Sequence, residues 1–74
     1  MSKRHNGGFD ILISQPLPDN EEIVLGFRPI DESWVVWYCH NKCNYYWGAY
    51  YPKNDLVNAL RKFIERCDAH NPTF

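Results

Sequence analysis

A chain of 74 residues with 45% hydrophobic and 23% charged side chains has room for one domain and a modest core, which excludes a multidomain architecture and argues against disorder. Its formal net charge of −1 excludes a strongly basic surface for nonspecific duplex binding, and equally an acidic mimic of a nucleic-acid backbone. No apolar run approaches the roughly 20 residues of a membrane-spanning helix.

The amino terminus, Met1-Ser2-Lys3-Arg4-His5-Asn6-Gly7-Gly8, is polar and lacks the apolar stretch of a secretory leader. It is expected to be a flexible tail, with a single domain over residues 9–68 and a second tail over residues 69–74. The odd number of cysteines, three, suits reduced thiols better than a disulfide framework, so a cytoplasmic location is expected.

Residues 9–14 read as a short strand in which Phe9, Ile11 and Ile13 share a face. Pro16 and Pro18 break the pattern, because proline cannot donate to a strand ladder. A second strand spans residues 22–28, with Ile23, Leu25 and Phe27 on one side and Val24, Gly26 and Arg28 on the other. After a turn at 29–33, a third strand covers 34–40. A turn at 41–44 leads to a fourth strand at 45–51, which Pro52 ends. Asn54 or Asp55 is a candidate N-cap for a helix whose Leu56, Leu60, Phe63 and Cys67 form an apolar stripe widened by Val57 and Ile64. Short connections imply antiparallel neighbours. The predicted fold is α+β: a two-layer domain with a three- to four-stranded antiparallel meander and one C-terminal helix packed on one face.

Eight of the twelve aromatic residues lie between Trp34 and Tyr51. One helix covers one face of a sheet, so the distribution of rings over the two faces carries the functional reading. Pairing Phe27 with Trp34, Leu25 with Val36 and Ile23 with Tyr38 assigns those residues to the helix side. An even-length turn at 41–44 adds Tyr45, Trp47, Ala49 and Tyr51 to that side. The opposite face then carries Val35 as a floor, Trp37, Tyr46 and Tyr50 as walls, and Arg28 at the edge, with Gly26 and Gly48 leaving a shallow groove beside Val35. Tyr, Trp and Arg are enriched at binding hot spots, so these five residues are the expected partner-binding set. The competing explanation is that aromatic cross-strand pairs simply stabilise an exposed sheet face.

The chain's other chemistry is sparse. Cys39, Cys43, Cys67 and His70, with C-x3-C and C-x2-H spacing, form a candidate zinc set, and His40 is a further possible ligand. Against it, Cys67 falls on the helix's apolar stripe and Cys39 lies within a strand, where a free thiol acts as a small hydrophobe. No cysteine has a histidine and an orienting group at a spacing that implies an activated nucleophile, so no enzymatic activity and no cofactor are expected.

A sheet followed by a helix, with Tyr46-Trp47-Gly48-Ala49-Tyr50 leading to Asn58-Ala59-Leu60, resembles in shape the DNA-binding modules of the integrase amino-terminal type. Over these roughly twenty residues the resemblance implies base stacking on exposed rings. It departs from the pattern in having few sheet cations beyond Arg28.

The leading expectation is a small cytosolic protein-binding module whose partner is another protein or its own copy. In scale it suits an accessory factor of a phage or mobile element that inhibits or modulates a host protein. Nucleic-acid binding on the same face and a zinc-stapled structural domain are the alternatives.

Overall fold

The computed structural model describes residues 4–70, the side chain of His70 excepted. Residues 1–3 and 71–74, parts of the two expected tails, lie outside the described residues. The elements are β1 (His5–Asn6), β2 (Phe9–Leu17), β3 (Glu21–Arg28), β4 (Ser33–His40), β5 (Asn44–Tyr51) and α1 (Leu56–His70). The strands form one antiparallel meander in the order β1-β2-β3-β4-β5.

The α+β class and the antiparallel sheet with its C-terminal helix are as expected, but the described residues form five strands, not three or four. The extra strand comes from the amino-terminal stretch. Gly7 and Gly8, at φ 58° and 84°, turn His5–Asn6 back onto β2. A Gly-Gly pair flanked by strand-forming residues is a hairpin signal in its own right, because both central positions of such a turn need positive φ.

The next turns use the same geometry with other residues. Asp19 and Asn20 (φ 65° and 62°) join β2 to β3, and Asn41 and Lys42 (φ 55° and 63°) join β4 to β5. The Asn41 amide donates to the Asn20 carbonyl at 2.9 Å, which ties the two turns side by side.

The β3–β4 register is the predicted one: Phe27 opposite Trp34, Leu25 opposite Val36, Ile23 opposite Tyr38. The helix also covers the predicted side. Ile23, Leu25, Val36, Tyr38 and Ala59 form a buried cluster, joined by Leu60, Phe63 and Cys67. The helical stripe is narrower than its sequence suggests, since Val57 and Ile64 are 67% and 57% exposed. Asp55 caps the helix: its carbonyl accepts from the Ala59 amide at 3.1 Å and its carboxylate from the Asn58 side chain at 2.6 Å.

A flat two-layer arrangement is not what forms. The face away from the helix has its own buried cluster of Phe9, Val24, Val35, Trp37 and Cys39. Phe9 on β2 lies 6.0 Å, ring centre to ring centre, from Tyr50 on β5. In a flat sheet, strands three places apart would lie roughly 14 Å from each other. The sheet is therefore curled, and its two sides close over a second core.

Gly26 makes this closure possible. A Cβ there would sit 3.0 Å from the Val35 side chain and 3.3 Å from Phe9. The groove expected beside the glycine is thus filled by the chain's own Phe9.

Candidate functional site

Two bulges decide which rings face out. On β2 the register shifts between Ile11 and Ile13. As a result Phe9 and Ile11 serve the second core, while Ile13 pairs with Leu25 on the helix side; the three do not share a face. On β5 the pairs run Cys39 with Tyr45 and Tyr38 with Tyr46, then skip to Val36 with Ala49 and Val35 with Tyr50. Trp47 and Gly48 together stand opposite the single residue Trp37, one residue more than a regular ladder.

The five sequence-predicted residues are consequently dispersed. Val35 is fully buried and Trp37 is 5% exposed, both inside the second core. Tyr46 lies on the helix side, stacked on Tyr38 at 5.8 Å, and Tyr45 takes the place expected for it beside Trp37 at 5.4 Å. This exchange corrects the even-length turn: His40 pairs with Asn44, so the connection has an odd number of residues. Tyr50 is on the predicted face and 62% exposed, edge-on to Trp37 at 6.2 Å. Arg28 lies over the Phe9 ring at 4.8 Å and holds Asp31 through bonds of 3.0 and 2.6 Å. That pairing keeps the Asp31 carboxyl well below the usual carboxylate range, with help from Ser33.

Sequence reasoning missed Trp47. It is 69% exposed, and its backbone sits at φ 55°, a conformation that bulky residues rarely adopt. Its ring stands edge-on to Tyr38 and Tyr46 at 5.3 and 5.2 Å. Arg66 fixes the backbone there: one of its nitrogens donates to the Trp47 carbonyl at 2.8 Å and to the Val36 carbonyl at 2.9 Å. The guanidinium also lies over the Tyr38 ring at 4.9 Å. The available signal was Gly48, since an isolated glycine within a strand pattern marks a bulge. A Cβ at Gly48 would come within 2.7 Å of the Trp37 indole nitrogen and 2.8 Å of the Tyr50 ring. The glycine is required by close packing beneath these two rings.

Trp47 on the helix side and Tyr50 on the opposite face are both exposed on β5, an outer strand that pairs only with β4 among the described residues. Residues 44–51 of that strand contain no charged side chain and no proline, the features that usually discourage edge-on contact with another chain.

The candidate zinc residues do not converge. Cys39 belongs to the second core and Cys67 to the helix side, with the sheet between them, while Cys43 is exposed in a turn. Burial pushes the Cys39 and Cys67 thiols up, which makes them less reactive. The His70 side chain lies outside the described residues. No group of three or more potential metal ligands occurs among the described residues. An open cleft of about 470 Å³ lies beside the two tied turns and the end of β2, lined in part by Pro16, Leu17, Asn20, Glu22, Asn41 and Lys42. Among the described residues no helix is long and apolar enough to cross a membrane.

Comparison of the chain with known protein families, curated proteins and solved structures finds no match.

Proposed function

We propose that this protein is a small non-enzymatic binding module that docks another protein along the β5 edge, with Trp47 as the anchor. The observation that carries the reading is Trp47 itself. A tryptophan held in the left-handed region, two-thirds exposed, costs backbone energy and apolar hydration together. Asparagine or glycine would suit that backbone position better, so the residue present is explained by what its ring contacts rather than by the local conformation. Tryptophan and tyrosine are the rings most often found at interface hot spots.

The test replaces Trp47 by Asn, which tolerates positive φ. Trp47→Asn is expected to change folding stability by no more than about 1 kcal/mol while weakening partner binding by about 2 kcal/mol or more. Affinity capture from the cells that express the protein, comparing wild type with Trp47→Asn at matched stability, reads the effect. A capture profile that is the same for both proteins overturns the proposal. Sedimentation of the purified protein shows whether the partner is a second copy. A steep loss of binding with added salt would point to nucleic-acid phosphates in place of a protein surface.

A further inference from the structure

Beyond Trp47 and the β5 edge, and independent of them, Arg4 occupies a site at the far end of the second core. Its guanidinium divides its donors among three acceptors. One nitrogen donates to the Glu22 carboxylate at 3.0 Å; the other donates to the Tyr45 hydroxyl at 2.9 Å and lies 3.5 Å from the Cys39 sulfur. The Tyr45 ring lies 5.8 Å from the guanidinium carbon. The Glu22 side chain is only 8% exposed, so its carboxylate needs a cation to compensate its removal from water. A lysine ammonium also has three donors, but they radiate from one atom, whereas the planar guanidinium here reaches its acceptors from two separate nitrogens.

The segment that delivers Arg4 is short, paired to β2 at His5 and Asn6. β1 has two residues. One backbone bond, from the Ile11 amide to the Arg4 carbonyl at 2.8 Å, reinforces it. Its connection to β2 is the Gly7-Gly8 turn, and nothing lies within 4 Å of where a Gly7 Cβ would sit. The arm therefore combines a specific side-chain anchor with a small, separately openable backbone attachment. Glu22 is also one of the residues that line the open cleft beside the Asn20 and Asn41 turns.

We propose that the Glu22–Cys39–Tyr45 corner is a receiving site for an arginine side chain presented by another polypeptide, and that Arg4 fills it as an internal stand-in until the arm lifts at Gly7-Gly8. Arginine from a partner would compete with Arg4 for the same three acceptors.

Amide hydrogen exchange of the full-length protein tests this directly. The Ile11 amide should exchange at least about tenfold faster than the buried amides of β3 and β4, because the arm opens without global unfolding. A short blocked arginine peptide should speed Ile11 exchange further in wild type. A blocked lysine peptide should not, and neither peptide should act on Glu22→Gln. In a second arm, Arg4→Ala should lose thermal stability and regain part of it with ethylguanidinium but not with ethylammonium. Ile11 exchange that coincides with that of the β3 and β4 amides overturns the proposal, as does an arginine peptide that acts no differently from the lysine peptide. If Arg4→Ala does not fold, the exchange measurements on wild type still decide.

Discussion

Trp37 and Trp47 show how two similar residues ten positions apart in the sequence acquire opposite roles. Trp37 touches Phe9 edge-on at 5.3 Å and packs beside Tyr45 and Tyr50, so its ring is an internal strut of the second core. Trp37→Ala is expected to cost about 3–5 kcal/mol, the usual range for deleting a buried ring. For a domain of this size each kcal/mol lowers the melting temperature by about 4–8 °C, so calorimetry should show a large drop or no folded state. Trp37 is buried by Phe9 of β2 and not by α1. Trp47 should behave in the reverse way, with binding sensitive and stability tolerant. The contrast between the two variants separates a structural aromatic from a functional one.

At the scale of elements, the bulge in β5 and the turn between β3 and β4 each rely on one arginine. Arg66 reaches from the helix to the two carbonyls that the bulge leaves exposed. Arg66→Met keeps the stem that packs on the sheet but removes those donors. It is expected to cost about 1–3 kcal/mol and to loosen Trp47, seen as a smaller melting temperature and greater quenching of Trp47 fluorescence. In the β3–β4 turn, Asp31 accepts from Arg28, from the Ser33 amide at 3.1 Å and from the Ser33 hydroxyl at 2.7 Å. Its carboxyl titrates below its unfolded value, with Arg28 the largest cause and Ser33 next. The stabilisation is therefore present above the unfolded pKa of about 3.9 and fades as pH falls toward the lower folded value. Wild type should melt above Asp31→Asn at neutral pH, and the gap should close in melting curves taken progressively below about pH 4.

For the molecule as a whole, the curl of the sheet is what converts an expected open aromatic face into a second interior. Three features were legible from residue order and pattern: the helix, the β3–β4 register and the side that α1 covers. The short turn between Arg28 and Ser33 set the pairing of the two strands, which the structure shows. Residues 45–51 were less legible because their aromatics occur as adjacent pairs, Tyr45-Tyr46 and Tyr50-Tyr51, and a pattern without alternation does not choose a face. The bulge at Trp47 and Gly48 then shifts one half of the strand relative to the other, and a period-two reading cannot follow it. The tail was misread in part for a related reason. His5–Asn6 is too short to signal a strand, and what holds it is Arg4, whose partners Glu22, Cys39 and Tyr45 are 18, 35 and 41 residues away.

Sequence alone determined the class of fold, the amphipathic helix and the concentration of aromatic side chains in β4 and β5, because these follow from local periodicity and composition. Only the tertiary structure decided which rings are buried. That outcome depends on how far the sheet curls and where its ladders slip, and both are set by contacts between strands distant in the chain: Phe9 against Gly26, Trp37 over Gly48, and Arg66 across the bulge.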